Sequence, residues 1–249
     1  MKLLTIANAK TIKGEARGYL TGILYLAPAN ESRVMNTCPC STAECRKACL
    51  FTAGRGQFDS VRSARIRKTR WLYDDRESFE QQLADDVSSL IAKAKRLDMV
   101  PCVRVNGTSD LPQLALRLAR KFPNVQLYDY TKIPRAETRK LDNYHLTYSH
   151  SGYNAEECLR VLKLGVNVAV VFDTRKGQPL PKRWNGYRVI DGDLSDLRFL
   201  DPTGVIVGLR AKGRARKRVK DTRVCESRSS SASATAFVQI GAMPNVQTI

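Results

Sequence analysis

Residues 99–149 read MVPCVRVNGTSDLPQLALRLARKFPNVQLYDYTKIPRAETRKLDNYHLTYS. Three short apolar, β-prone runs, MVPCVRV, VQLYDY and YHLTYS, are separated by LPQLALRLARKF and IPRAETRKL, both of helical character. The rhythm continues outward through NAEECLRVLKLG, with Asn154 and Glu157 in capping-box register, then VNVAVVFD, YRVID and GVIVGL. On the other side, YLTGILYLA (19–27) reads as a buried strand closed by Pro28. Alternating βα units of this length predict a parallel sheet with right-handed crossovers. About six or seven strands make the expected fold α/β, a parallel (β/α) partial or full barrel with a cysteine-rich loop after the first strand.

Two helices are expected between that loop and Met99. DSVRSARIRKTRWLYD (59–74) contains no Pro or Gly and opens on a candidate N-cap, Asp59. Its Arg62, Arg65, Lys68 and Arg70 are expected to extend into solvent. Beyond Asp75, Phe79, Leu83, Val87, Leu90, Ile91 and Ala94 recur at three and four, the spacing of an amphipathic helix.

In parallel α/β sheets, loops and helix N-termini converge at the carboxyl ends of the strands, so ligands gather there. Polar groups stand at those points in this chain: Asn106-Gly-Thr-Ser109-Asp110, Tyr128-Asp129-Tyr130-Thr131-Lys132, Ser149-His150-Ser151-Gly152, Asp173-Thr-Arg175, and Asp191-Gly-Asp193. One such cluster is an ordinary loop. Five in succession predict a shared pocket.

The stretch NTCPCSTAECRKAC (36–49) gathers four of the seven cysteines, Cys38, Cys40, Cys45 and Cys49. No run approaches the roughly 18 apolar residues of a membrane span, and the first residues lack the pattern of a signal peptide, so no membrane association and a cytosolic location are expected. Disulfides are rare in that compartment, and a tight cysteine group then reads as a metal site. Cys45-x3-Cys49 suits zinc, while Cys38-Pro-Cys40 is too close for the usual pair. Three ligands, Cys38, Cys45 and Cys49, would equally suit a [4Fe–4S] cluster with one open iron, or a catalytic zinc. The spacing leaves these open. Cys102 and Cys158, on a strand and an apolar helix face, read as packing residues.

Lysine and arginine total 42 against 24 acidic residues, a net charge of +18. Attraction to polyanions is the simplest use of that balance, so nucleic acid, DNA first, or a nucleotide is the expected partner. RAKGRARKRVKDTR (210–223) carries eight basic residues and leads into the linker-like SRSSSASATA, so the chain is divided into a catalytic domain, 1–209, and a basic tail, 210–249. Arg62, Arg65, Lys68, Arg70, Arg214, Arg216, Lys217 and Arg218 are the candidate nucleic-acid-binding residues. Walker, G-x-S-x-G and G-x-G-x-x-G motifs are absent, against nucleotide hydrolysis, serine esterase and dinucleotide chemistry.

The set NTCP with two further cysteines, VRVNGTSD, LYDYTK, NYHLTYSHSG and DGDLSDLRFLDPTGVIVGLRAKGRA resembles the bacteriophage proteins grouped as the gene-product-eighty-eight family. The resemblance implies a phage origin, hence the cytoplasm of an infected host cell, and one shared pocket. The position of Cys40 is often Gly in that family, which implies Cys38, Cys45 and Cys49 as the ligands. The layout is also similar to radical S-adenosylmethionine enzymes, and Gly204-Val-Ile-Val-Gly208 is similar to their G-x-I-x-G segment along the adenine. The cysteine spacing here is C-x6-C-x3-C rather than their C-x3-C-x2-C, and Ala211 stands where their segment continues to Glu.

That similarity implies a [4Fe–4S] cluster and S-adenosylmethionine, in an enzyme modifying a nucleic acid or nucleotide. Asn106, Ser109 and Asp110 would hold ribose or methionine groups, Gly204 and Gly208 would flank the adenine, and Asp129, Tyr130 and Lys132 would face the substrate. Asp110, Asp129, Tyr130 and Lys132 are the candidate catalytic residues. An alternative is base exchange inserting a modified guanine into DNA, with Asp110 and Asp129 as nucleophile and acid/base and zinc as a structural metal. A non-enzymatic nucleic-acid binder with a structural metal is the third reading.

Overall fold

The structure, a computed structural model, describes residues 1–8, 11–52, 54–139, 141–213 and 215. Nine strands form one sheet: β1 (Leu4–Thr5), β2 (Tyr19–Leu24), β3 (Val100–Arg104), β4 (Gln126–Thr131), β5 (Tyr144–Ser149), β6 (Val168–Phe172), β7 (Arg183–Trp184), β8 (Tyr187–Asp191) and β9 (Ile206–Arg210). Their order is β1-β2-β3-β4-β5-β6-β9-β8-β7. From β2 through β8 every neighbouring pair is parallel, whereas β1 and β7 close the two ends antiparallel. The fold is therefore mixed α/β with a mostly parallel sheet. β9 enters between β6 and β8, so the strands do not follow chain order throughout.

The helices are α1 (Thr11–Glu15), α2 (Ala43–Lys47), α3 (Asp59–Asp74), α4 (Arg76–Arg96), α5 (Pro112–Lys121) and α6 (Ala155–Lys163). Helix α3 has the span expected of it, but the residue in the N-cap position is Phe58, with no side-chain cap. Asp75 caps α4 by accepting from the Ser78 amide. IPRAETRKL forms only a 3-10 turn at Ala136–Arg139, because it lacks an apolar stripe with which to dock. The capping box expected at α6 is absent. Asn154 accepts from the Ser151 amide, and Glu157 takes Arg160 and the Arg135 amide.

Period-2 alternation sends successive side chains to opposite faces of the sheet. Val103 and Leu127 join Leu20, Leu24 and Leu146 in a core closed by Phe79, Leu83, Val87 and Leu90 of α4 and by Leu114 and Leu118 of α5. Full burial of a side chain such as Leu83 stabilises by roughly 1.5–3 kcal/mol. A second cluster packs Val161 and Leu162 of α6 on Val168, Val170 and Ile206. On the opposite face Cys102, Tyr128 and Leu197 cluster with Tyr19 and Phe199, so the segment around the 3-10 turn Arg198–Leu200 covers that side instead of a helix. Among the described residues no helix is long and apolar enough to cross a membrane.

Candidate functional site

Backbone bonds stitch the loops after β2, β3 and β4 together. The Thr108 hydroxyl donates to the Leu26 carbonyl at 2.5 Å, the Gly107 amide to the Leu24 carbonyl at 3.0 Å, and the Asp110 amide to the Thr37 carbonyl at 2.7 Å. Glycine is required at 107, since a Cβ there would stand 2.7 Å from both the Leu24 oxygen and the Tyr25 ring. Asp110 Oδ2 in turn accepts the Lys132 amide at 2.7 Å. These bonds join the loops after three consecutive strands, the cysteine loop and two of the five polar clusters.

The cysteine stretch is the first of those loops. Thr37 fixes it by donating to the Ala27 carbonyl at 2.6 Å, and Thr42 caps α2 by accepting the Cys45 amide at 3.0 Å. Cys38, Cys45 and Cys49 are half-buried, and Cys40 is exposed. Burial pushes the Cys49 thiol up to about 11, and Cys45 and Cys38 push it further while Lys132 opposes them. Burial also raises Cys38, with Asp110 and Cys45 adding to it. Cys40 is raised by burial and Asp110, but no other cysteine acts on it. Cys45 thus acts on both Cys38 and Cys49, and Cys38 on Cys49, while Cys40 shares the influence of Asp110 with Cys38.

Among the described residues no three His, Cys, Asp or Glu side chains converge closely enough to hold a single metal ion. A cubane distributes its thiolates over separate irons, so its ligands need no common point. Protonated thiols at neutral pH would release their protons on metal binding. Cys102 and Cys158 are buried as expected of packing residues.

Asn106, Ser109 and Asp129 form a closed network within the protein. Asp129 accepts the Asn106 amide at 2.7 Å, Asn106 Nδ2 at 2.9 Å and the Tyr144 hydroxyl at 3.1 Å. Asn106 Oδ1 accepts the Ser109 hydroxyl and the Leu111 amide. Asp129 ties the end of β3 to β5 on the helical side of the sheet. Burial pushes its carboxyl up to about 7, against the Asn106 donors, Arg104 and Tyr144. A carboxyl raised in the fold binds its proton more tightly there than in the unfolded chain. Its stabilising effect is therefore complete below the unfolded value and is lost as pH rises through the folded one. Between about pH 5 and about pH 8 the wild-type chain is expected to lose about 2–3 kcal/mol from this group, and Asp129→Asn to lack that component in urea unfolding. An Asn variant with the wild-type pH slope would exclude Asp129 as its source.

Tyr130 lies on the other face, its ring 4.6 Å from the Arg104 guanidinium. Arg104 is buried, which by itself would weaken its charge, but Asp196 at 3.0 Å holds it protonated. Tyr128 donates to Asp196 at 3.4 Å. Asp196 was expected among the polar residues after RVI, but Arg104 was not singled out from sequence, although a charged residue inside the apolar run VRV was a visible signal. His150 meets the Trp184 ring edge-on at 5.3 Å, and burial, aided by Lys132, pushes its pKa down to about 4.

Gly204 and Gly208 are placed elsewhere. Gly204 precedes β9, at the opposite end of the parallel strands from the cysteine loop, and has a left-handed φ of 68°. A Cβ at Gly208 would come within 2.7 Å of Val189 and 2.9 Å of Leu180, so packing of β8 and its preceding loop already demands glycine.

Of the basic residues on α3, Arg62 pairs with Glu31 at 2.7 Å and Arg70 is exposed. Arg65 and Lys68 are turned inward, contrary to expectation. Lys68 donates to the Leu3 carbonyl at 2.6 Å, and Arg65 lies over Tyr25 and Phe51, because aromatic faces and a free carbonyl compete successfully with water for these long side chains. Arg214, Arg216, Lys217 and Arg218 lie outside the described residues. A surface depression of about 580 Å³ beside Trp71, Asp75 and Asp85 is at the corner of α3 and α4.

The fold defines a mixed α/β protein with a mostly parallel sheet. The chain belongs to the Gene product 88 family, whose model matches residues 1–228. No curated protein and no solved structure matches it.

Proposed function

We propose that this chain is a phage iron–sulfur enzyme, of radical S-adenosylmethionine type, that modifies a nucleic acid or a nucleotide. The observation that carries the reading is that Cys38, Cys45 and Cys49 are half-buried on one loop bonded to the strand ends, with Cys45 acting on Cys38 and both acting on Cys49, whereas Cys40 is exposed. Three thiolates match a [4Fe–4S] cluster with one open iron, which supplies an electron to a ligand bound there. In this reading the parallel strands curve as a partial barrel, with helices outside and Arg104, Tyr130 and Asp196 on the inner face. Lys132, which acts on Cys49, and Asp110, which acts on Cys38 and Cys40, would orient the ligand, while Asn106, Ser109 and Asp129 hold the loops that carry them. The net charge of +18 favours a phosphate-bearing substrate.

Base exchange is a second reading, favoured by the placement of Asp110, whose carboxylate is fixed through one oxygen by the Lys132 amide. Asp129 would have to release Asn106 and Tyr144 to act with it.

The deciding measurement is iron, acid-labile sulfide and zinc in protein purified and reconstituted without oxygen. About four irons and four sulfides per chain are expected. One zinc without sulfide would remove the iron–sulfur reading and leave base exchange or a structural metal.

A further inference from the structure

Arg65 occupies the second turn of α3, and its guanidinium is clasped by two rings. Its Cζ lies 4.9 Å from the centroid of Tyr25, just beyond β2, and 5.3 Å from that of Phe51, in the 3-10 turn Leu50–Thr52 that follows Cys49. Nε and Nη1 are shielded from solvent, yet neither meets an acceptor among the described residues. Arg104, Arg198 and Arg210 are drawn in against carboxylates, Asp196, Asp201 and Asp191, and Arg139 donates to backbone carbonyls, although Arg104 Nε, Arg139 Nε and Arg198 Nε and Nη1 also lack hydrogen-bond partners. Arg62, one turn earlier on α3, has Glu31. Among the described residues no carboxylate pairs with Arg65, and its neighbours are the two rings.

An unpaired donor withdrawn from water is costly, and more so on a cation. Stacking on two aromatic faces leaves the in-plane N–H groups as the unsatisfied part, and those are the groups that bind carboxylate or phosphate in bidentate fashion. We propose that Arg65 is an oxyanion-binding residue, which takes the carboxylate or phosphate of a small ligand bound beside the Cys49 turn. One of the two rings against the guanidinium, Phe51, belongs to a 3-10 turn outside the sheet. This site depends on the surroundings of Arg65 and not on which metal the cysteines hold.

The full-length chain is tested by thermal unfolding at constant ionic strength in chloride, in inorganic phosphate and in acetate, comparing wild type with Arg65→Met, Arg65→Lys and Arg62→Gln. Phosphate also stabilises proteins by exclusion, so the quantity read is the difference between wild type and each variant. Wild type and Arg62→Gln are expected to show a saturable rise of a few degrees in phosphate or acetate over chloride. Arg65→Met and Arg65→Lys are expected to lose it. In chloride Arg65→Met should be as stable as wild type, since it exchanges an unpaired charge for an apolar group between two rings. If Arg65→Met does not fold, Arg65→Lys decides, because it keeps the charge without the planar fork. A response to acetate alone assigns a carboxylate ligand, and one to phosphate alone a phosphate; either supports the site. An equal wild-type response to all three salts, or an oxyanion response that persists without Arg65, overturns it.

Discussion

Cys38→Ser, Cys45→Ser and Cys49→Ser are each expected to reduce the iron of the reconstituted chain from about four per molecule to near zero, while Cys40→Ser retains it. A hydroxyl is a far poorer ligand for iron–sulfur clusters than a thiolate, so each substitution removes one of three anchors rather than weakening it. The prediction for Cys40 comes from its position. It is exposed, and the charged groups acting on it are Asp110 and Arg139, whereas Cys45 acts on Cys38 and both act on Cys49. The backbone amide of Cys45 donates to the Thr42 hydroxyl oxygen, so Cys45→Ser keeps the cap of α2 and isolates the ligand effect. Iron, sulfide and visible absorbance of the four variants measure it, with circular dichroism to confirm folding. Equal loss in all four would mean that Cys40 is a ligand too, and would favour a closed four-thiolate zinc site.

What was legible in the sequence is what local periodicity encodes. YHLTYS and YRVID became β5 and β8 residue for residue, and DSVRSARIRKTRWLYD became α3, because each alternates or repeats with the period of its element. The insertion of β9 between β6 and β8 was not legible, since strand order depends on which edge a crossover returns to. The hairpin of β7 and β8 was legible and was missed. Asn185 and Gly186, with φ of 47° and 83°, form the two-residue turn that Asn-Gly favours. Of the polar clusters expected after the strands, Asn106 to Asp110 follow β3, whereas Tyr128 to Thr131 lie within β4, and the partners of neither were legible. Asn106, Ser109 and Asp129 satisfy one another within the protein, and no one-dimensional pattern separates such a network from a ligand site. Arg65 illustrates the converse, because its charge suggested solvent, yet Tyr25 and Phe51, distant from it in sequence, draw it in.

Replacing Arg214, Arg216, Lys217, Arg218 and Lys220 together by Gln is expected to lower DNA affinity by orders of magnitude at low salt and to flatten its salt dependence. The eight basic residues between 210 and 223 do not all belong to a free arm. Arg210 is the last residue of β9 and bonds Asp191 at 2.9 Å and Asp193 at 3.1 Å, while Lys212 bonds Asp193 at 2.6 Å. These two anchor the end of the fold, so truncation at 210 would confound loss of binding with loss of stability. The five substituted residues lie outside the described part of the chain and have a single acid, Asp221, among or beside them. If each neutralises one phosphate of a duplex, log affinity against log salt should have a slope of about −4.5 from this segment, at about 0.9 per contact. The substituted chain should lose several units of that slope with its metal content unchanged, as measured by fluorescence anisotropy across a salt series. The alternative track on α3 is thin, because Arg65 and Lys68 are turned inward and Arg62 is paired with Glu31. An unaltered slope would nevertheless assign the contacts to Arg62, Arg70 and their neighbours beside the cysteine loop, and would leave the basic segment as a solvated one.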